Sequence, residues 1–111
     1  MEFFDHWLYT VCNFDPKSYA PVFVGLNAPY DWMFVHWYFI HFTGKNPFGI
    51  SAWDIKAYYA GVAKKTRWAD TARKKMEKRF RSKRRHTHNA LDDALEQAEI
   101  FQKLRQAAGV N

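Results

Sequence analysis

Hydrophobic positions divide the first third of the chain into a helical stretch and a strand. Residues 2–13 are aromatic and predict a helix, because their apolar side chains recur at helical spacing at Phe4, Trp7, Leu8 and Val11. The Asp15-Pro16 step is expected to end that helix. Residues 21–26 then form a short apolar run between a proline and a glycine, which predicts a buried strand of the kind found in parallel sheets.

The next apolar segment is longer and predicts a helix from Asp31 to about Thr43, opening near Pro29. This helix is apolar on nearly all sides, and such a helix is normally buried on more than one face. Turn residues over 44–49 predict a loop. A second strand is expected over residues 50–55, running into a short helix over 56–62.

The last two segments of the chain differ from each other. Residues 68–85 are predicted to be helical at first. The segment then becomes strongly basic, because Lys or Arg fills nine of the thirteen positions from Arg73 to Arg85. From Asn89 to about Ala108 an amphipathic helix is predicted, with Asn89 as its N-cap and Gly109 as its stop. Its expected core face is one apolar stripe, consisting of Leu91, Ala94, Leu95, Ala98, Phe101, Leu104 and Ala108. Strand–helix–strand–helix order favours an α/β fold with a small parallel sheet.

Composition narrows the class of protein. A chain of 111 residues is expected to be one domain, and its net charge of +6 suits an acidic partner, either nucleic acid or an anionic membrane surface. The single cysteine, Cys12, excludes an internal disulfide and has no partner at zinc-ligand spacing. The most apolar stretch, residues 32–42, is far shorter than the ~20 residues that span a bilayer, and the N-terminus has no signal-peptide pattern. We therefore expect a soluble, cytoplasmic chain with no membrane partner.

Polar residues that can carry chemistry follow the first predicted strand. Asn27 and Asp31 lie just beyond its carboxyl end, where ligands bind in open α/β sheets. A carboxylate on the first turn of the next helix is well placed for such a site. The same two residues also suit a turn and a helix cap, which is the commonest use of Asn and Asp at a helix start.

A second polar cluster opens the last predicted helix. His88 precedes the cap and Asp93 lies one turn inside the helix. If the loop folds back, the imidazole and the carboxylate can approach one metal-bound water, an arrangement that suits metal-assisted hydrolysis. Alternatively, His88 is an exposed loop residue, and Asp92 and Asp93 favour the helix N-terminus electrostatically.

Together the two clusters resemble the second and third motifs of the DnaQ-like, DEDDh 3′–5′ exonucleases. The stretches that carry the resemblance are VFVGLNAPYDW at 22–32 and HNALDDALEQA at 88–98. Residues 46–49 and 54–59 fall where that family has its intermediate strand, so the resemblance covers roughly residues 20–108. It implies a ribonuclease-H-like fold, here truncated to a remnant of a small parallel sheet flanked by helices.

The resemblance also implies roles for individual residues. Members of this family hold two divalent ions, Mg²⁺ or Mn²⁺, with four acidic side chains, and release nucleoside 5′-monophosphates from a DNA or RNA 3′ end. Asp31 would match the third acidic ligand and Asp93 the fourth. His88 would match the general base that activates the attacking water.

One motif of that family is missing. No Asp-x-Glu pair precedes Val22, so the strand region that supplies the first two carboxylates is expected to be absent from this single partial domain, residues 1–111. With two of four carboxylates, two dications would be under-coordinated, and we expect weak or no metal binding and little or no activity from the chain alone. A late start codon or a split gene would account for the shortened domain.

The bare sheet edge and the apolar helix over 32–42 predict a homo-oligomer, or a partner chain that supplies the missing strands.

The basic run supplies candidate nucleic-acid contacts. Arg81, Lys83, Arg84 and Arg85 come directly before His88, which favours contact with a phosphate backbone over the alternative of a solvated helix face followed by a loop. Asn27 and Tyr30 are further candidates, since Tyr30, like Trp32 and Phe48, can stack on a terminal base. The leading hypothesis is an exonuclease-family domain. One alternative is a non-catalytic nucleic-acid-binding or interaction module derived from that fold. Another is a small basic oligomeric protein with no nuclease history.

Overall fold

The computed structural model describes residues 1–10, 20–85 and 87–110. It shows a small α/β structure whose elements, in chain order, are α1 (Glu2–Thr10), β1 (Phe23–Gly25), α2 (Ala28–Thr43), β2 (Ala52–Asp54), α3 (Ile55–Val62) and α4 (Ala90–Ala107). Strands β1 and β2 pair as a two-stranded parallel sheet. The two strands and the helices after them confirm the predicted order of elements. Val11, Cys12 and the Asp15-Pro16 step lie outside the described residues.

The chain forms two compact units, one of Met1–Val24 with Ala28–Trp53 and the other of Gly25–Asn27 with Asp54–Asn111. An aromatic cluster forms the core of the first unit. Phe48 lies at its centre, with ring centroids 5.8 Å from Phe4, 5.5 Å from Phe23 and 6.1 Å from the fully buried Phe39. Trp32 closes the cluster, 5.5 Å from Phe23.

Helix α2 directs one face into this cluster and leaves the other exposed. The inward positions include Ala28, Trp32 and Phe39, at helical spacing. The outward side carries a set of large apolar side chains that are each more than two-fifths exposed, namely Tyr30, Met33, Phe34, Trp37, Tyr38, Ile40 and Phe42. The expectation that this helix is buried on more than one face is therefore wrong for the described chain. Because the helix is apolar all round, its sequence carries no signal for which face is inward.

The second unit packs α3 and α4 around a small core. Ile55 and Tyr59 from α3, and Ile100 and Leu104 from α4, are essentially inaccessible to solvent. The Tyr59 ring meets Phe80 edge-on at 5.8 Å, and its hydroxyl accepts a hydrogen bond from the Glu77 backbone N–H at 3.1 Å. The side-chain oxygen Oε1 of Gln97 accepts a hydrogen bond from the Leu26 backbone N–H at 2.9 Å, which attaches the short segment after β1 to α4.

The buried face of α4 is not the one predicted. Glu96, Ile100 and Leu104 face the core, one turn apart, whereas Leu91 is 66% exposed and Leu95 39% exposed. Of the predicted stripe, Leu104 is fully buried and Phe101 is half-buried, with its ring centroid 5.8 Å from that of Tyr58. The charged Glu96 lies inward because it is paired with Arg73, an interaction that no hydrophobicity pattern encodes.

Residues 68–80 also differ from prediction, since they form three short 3₁₀ turns in place of an α-helix: Trp68–Thr71, Arg73–Lys75 and Lys78–Phe80. Like charges lie four residues apart at Lys74 and Lys78, and again at Lys75 and Arg79, which disfavours a continuous helix. Two apolar side chains, Met76 and Phe80, instead fix the segment to the core.

The predicted ends of the last helix are confirmed. The Asn89 side chain accepts hydrogen bonds from the backbone N–H groups of Leu91 and Asp92, and Gly109 takes the left-handed conformation with φ 83° that ends the helix. Asp54 caps α3 in the same way through the Lys56 N–H. Within the described ranges no helix is both long enough and apolar enough to cross a membrane.

Candidate functional site

The first polar cluster lies where β1 gives way to α2. Asn27 is exposed and adopts a left-handed backbone with φ 56°, which suits Asn in a sharp turn. Asp31 is exposed on the first turn of α2, near the positive end of the helix dipole. Tyr30 is 61% exposed and meets Phe34 edge-on at 5.5 Å, so much of its ring is accessible to a ligand.

The second cluster surrounds the start of α4. The Thr87 hydroxyl donates to Oδ2 of Asp92 at 2.7 Å and accepts from the Asn89 N–H at 3.3 Å. These bonds, with the Asn89 cap, fix the backbone on both sides of His88. That residue is exposed and held at φ 60°, a left-handed conformation that costs a non-glycine residue about 1–3 kcal/mol and persists only where its surroundings enforce it.

The two adjacent aspartates have different environments. Both are half-buried, but Asp92 is bound to Thr87 in the loop, whereas the Oδ1 atom of Asp93 is shielded from solvent. Both lie in the first turn of α4, where the helix dipole favours negative charge. The structure thus separates a loop-binding carboxylate from an inward one, and the inward one is the predicted metal ligand.

The ligands for a metal ion are incomplete in the part of the chain that the structure describes. No group of three or more His, Cys, Asp or Glu side chains lies close enough together there to hold an ion. Asp31 belongs to the first unit, and His88 and Asp93 to the second. The described residues therefore do not by themselves fit the two dications that the resemblance implies, and the Mg²⁺ or Mn²⁺ site stays a prediction.

The basic segment, residues 73–85, is held on the second unit by two glutamates of α4. Glu96, which is only 7% exposed, pairs with Arg73 at 3.1 Å. Glu99 accepts a 2.6 Å hydrogen bond from the Ser82 hydroxyl and lies 3.1 Å from the Lys103 ammonium. The hydrogen bond from Ser82, followed by that from Lys103, lowers the pKa of the Glu99 carboxyl from 4.5 to about 2.

The four arginines and lysines predicted to contact nucleic acid differ in their environments. Arg81 directs its guanidinium to the backbone carbonyls of Met76 and Lys74, at 2.6 and 2.7 Å, so it braces the segment. Arg84 lies 3.9 Å from Glu99. Lys83 and Arg85 are exposed, and neither forms an ion pair with a described residue.

Three further exposed cations of the predicted basic run make no ion pair with the described residues, and they are Lys74, Lys75 and Lys78. The sequence prediction included them in the run without naming them. It missed the organising residues Glu96 and Glu99. Their spacing of three residues, with Lys103 four beyond Glu99, was the available signal for an α4 face that binds a basic segment.

The chain is similar in sequence to a nuclease. No protein-family model matches it. Over 98 residues, 88% of this chain, it is 41% identical to the 3′–5′ DNA exonuclease Cap18 of Escherichia coli, and it spans 50% of the length of that relative. This similarity supports the predicted relation to an exonuclease family. The finer assignments, to the DEDDh group and the ribonuclease-H-like fold, stay predictions.

Proposed function

We propose that the chain is one part of a 3′–5′ exonuclease domain with a truncated ribonuclease-H-like fold of the DEDDh type. The reaction of the complete domain would be hydrolysis of the terminal phosphodiester bond at a nucleic-acid 3′ end, with DNA as the substrate. The observation that supports this most is the 41% identity to a relative named as a 3′–5′ DNA exonuclease. The aligned length holds Asn27 and Asp31 after β1, and His88 and Asp93 at α4, in the order of that family's motifs.

Three side chains would carry the chemistry. We assign Asp31 and Asp93 as metal ligands, and the shielded Oδ1 of Asp93 supports its inward role. We assign His88 as the general base, because its imidazole is exposed and hydrogen bonds of neighbouring residues hold its backbone in place. A divalent ion would supply charge stabilisation at phosphorus. Because the described residues do not complete its ligand set, no catalytic step is assigned to the chain alone.

The basic segment would bind the nucleic-acid backbone. Five of its cations are exposed without an ion pair to any described residue, namely Lys74, Lys75, Lys78, Lys83 and Arg85. Contacts of lysine and arginine with phosphates give affinity that falls steeply with salt and does not depend on sequence. Tyr30 and Asn27, both exposed, are proposed contacts for the terminal nucleotide.

The outward face of α2 supports a further proposal, that another polypeptide covers it. We commit to the polypeptide equivalent to the half of the E. coli relative that the chain does not match, since the chain spans 50% of that relative. Seven large apolar side chains on one helix are more than an isolated monomer normally exposes in one patch. Light scattering should show a one-to-one complex of the chain with that polypeptide. A chain that remains a monomer and fails to bind it, or that only pairs with itself, would contradict the proposal.

The activity test uses a short DNA strand labelled at its 3′ end and Mn²⁺. We expect little or no release of mononucleotides by the chain alone, and release when the unmatched half of the relative is added. Asp93→Ala should abolish that release and Asp92→Ala should preserve most of it, because only Asp93 is proposed to hold a metal. Release that survives Asp93→Ala would refute the metal-ligand assignment.

A second candidate function is a non-catalytic nucleic-acid-binding module. It is favoured by the absence of a three-ligand cluster among the described residues, together with the exposed cations of the basic segment. Salt-sensitive binding of DNA, with no release of nucleotides in either arm of the activity test, would select this function. RNA in place of DNA in the same assay tests the choice of substrate.

A further inference from the structure

A small cavity of about 180 Å³ opens in the second unit beside the basic segment. Six residues line it, and these are Arg73, Lys74, Arg81, Ser82, Glu96 and Ile100. Three cations and one carboxylate give this cavity a net charge of +2, which favours an anion as its ligand. We name it the Arg73–Arg81 pocket.

Both guanidinium groups of the pocket are held in place before any ligand binds. Arg73 is 3.1 Å from Glu96, a carboxylate that is only 7% exposed. Arg81 donates to two backbone carbonyls of the same segment at 2.6 and 2.7 Å. A guanidinium has five N–H donors, and the two bonds of Arg81 engage two of them. Anchoring of this kind lowers the entropy that a ligand must remove when it binds.

The third positive charge of the pocket is that of Lys74. Its side chain is exposed and forms no ion pair with the described residues. Ile100 is essentially inaccessible to solvent and gives the pocket an apolar wall. Charge interactions beside such a wall are stronger than in open water, so a pocket that combines two fixed guanidiniums with one free ammonium is suited to a compact oxyanion.

We propose that the Arg73–Arg81 pocket binds one phosphate group of a nucleic-acid backbone. This inference rests on the proposed nucleic-acid-binding role of the basic segment and names one point at which a phosphate is held. The volume admits a phosphate, and arginine forks match its oxygens in pairs. Exposed Lys78 continues the positive charge along the segment for a neighbouring phosphate.

The test compares two adjacent lysines. Lys74→Ala removes a cation that lines the pocket, and Lys75→Ala removes the same charge from the same 3₁₀ turn but outside the pocket. Binding of a single-stranded DNA without terminal phosphates is measured at several salt concentrations. We expect Lys74→Ala to lower the salt-dependence slope by about one, as for a lost phosphate contact, and to weaken binding severalfold more than Lys75→Ala does.

A second arm uses inorganic phosphate alone, followed by the NMR shifts of the backbone amides at 73–74 and 81–82. The shifts should move in the wild type and in Lys75→Ala, not in Lys74→Ala, and added DNA should compete with phosphate. If phosphate binds but added DNA does not displace it, the assignment to a backbone phosphate would be overturned.

The two arms separate the failure of the pocket from the failure of the proposed function. Equal effects of the two substitutions on DNA binding would overturn the pocket and leave diffuse binding by the segment intact. A wild type that binds no DNA at low salt would overturn the nucleic-acid role together with the backbone-phosphate assignment. Phosphate shifts that depend on Lys74 would then identify the pocket as a site for free phosphate only.

Discussion

Truncation of Phe80 should both destabilise the second unit and release the basic segment. The Phe80 ring is 2% exposed and meets Tyr59 edge-on at 5.8 Å. Full burial of such a side chain contributes about 1.5–3 kcal/mol, and an aromatic pair adds about 0.5–1.5 kcal/mol. Phe80→Ala also leaves a cavity, so a loss of about 3–5 kcal/mol is expected. That is a large share of the roughly 5–15 kcal/mol that stabilises a typical domain.

Urea unfolding followed by circular dichroism measures the loss, and hydrogen exchange of the amides over 73–85 measures the release of the segment. Phe80→Leu keeps most of the buried hydrocarbon and should cost only roughly 1–2 kcal/mol, which preserves a folded variant for the exchange experiment. Phe3→Ala is the control, because Phe3 is 92% exposed and its truncation should stay within about 0.5 kcal/mol of wild type. Equal losses for Phe80→Ala and Phe3→Ala would refute the anchoring of the segment.

Two further predictions concern α4. Asn89→Ala removes the side chain that caps its first turn and should lower the free energy of unfolding by about 1 kcal/mol, measured in the same urea experiment, and an unchanged midpoint would contradict the cap. The second concerns pH: because hydrogen bonds lower the pKa of Glu99 from 4.5 to about 2, the folded state binds fewer protons than the unfolded state, and the stabilisation present above pH 4.5 should be lost as pH falls toward 2. In Glu99→Gln this part of the acid dependence should vanish, so a variant that loses stability in parallel with wild type over that window would contradict the assignment.

The order of elements was predictable because each has a local signal. The run at 21–26 is too short for a helix and is bounded by Pro21 and Gly25, and it contains β1. Asn89 and Gly109 mark the two ends of α4 by cap and stop chemistry that acts within a few residues. Both kinds of signal depend on neighbours along the chain, so a single sequence is enough to detect them.

The packing faces were less predictable because they depend on partners far away in sequence. Leu91 and Leu95 follow helical spacing, yet both are exposed, whereas Glu96 faces the core beside Arg73, 23 residues earlier. A hydrophobicity pattern assigns a charged residue to the surface, so an inward ion pair reverses the assignment. The same limit explains the 3₁₀ turns, since Met76 and Phe80 are placed by contacts with the core and not by local periodicity.

The candidate site was predictable only as a set of residues. Its two motifs directed attention to Asp31, His88 and Asp93, and the structure adds that Asp93 is inward while Asp92 binds Thr87. Local helix chemistry did not distinguish these two aspartates, because both suit the start of a helix equally well, and only the resemblance to a family motif singled out Asp93 in the sequence.

A chimera would show whether this chain carries one part of an exonuclease site. The chain would replace the matching half of the E. coli relative, and the release of mononucleotides from a labelled DNA 3′ end would be followed with Mn²⁺ present. We predict activity in the chimera, its abolition by Asp93→Ala, a loss of about 10²–10⁴-fold in His88→Ala, and near-normal release in Asp92→Ala. A folded chimera that releases no nucleotides, or whose activity is unchanged by substitution of Asp93 and His88, would contradict the proposed exonuclease site.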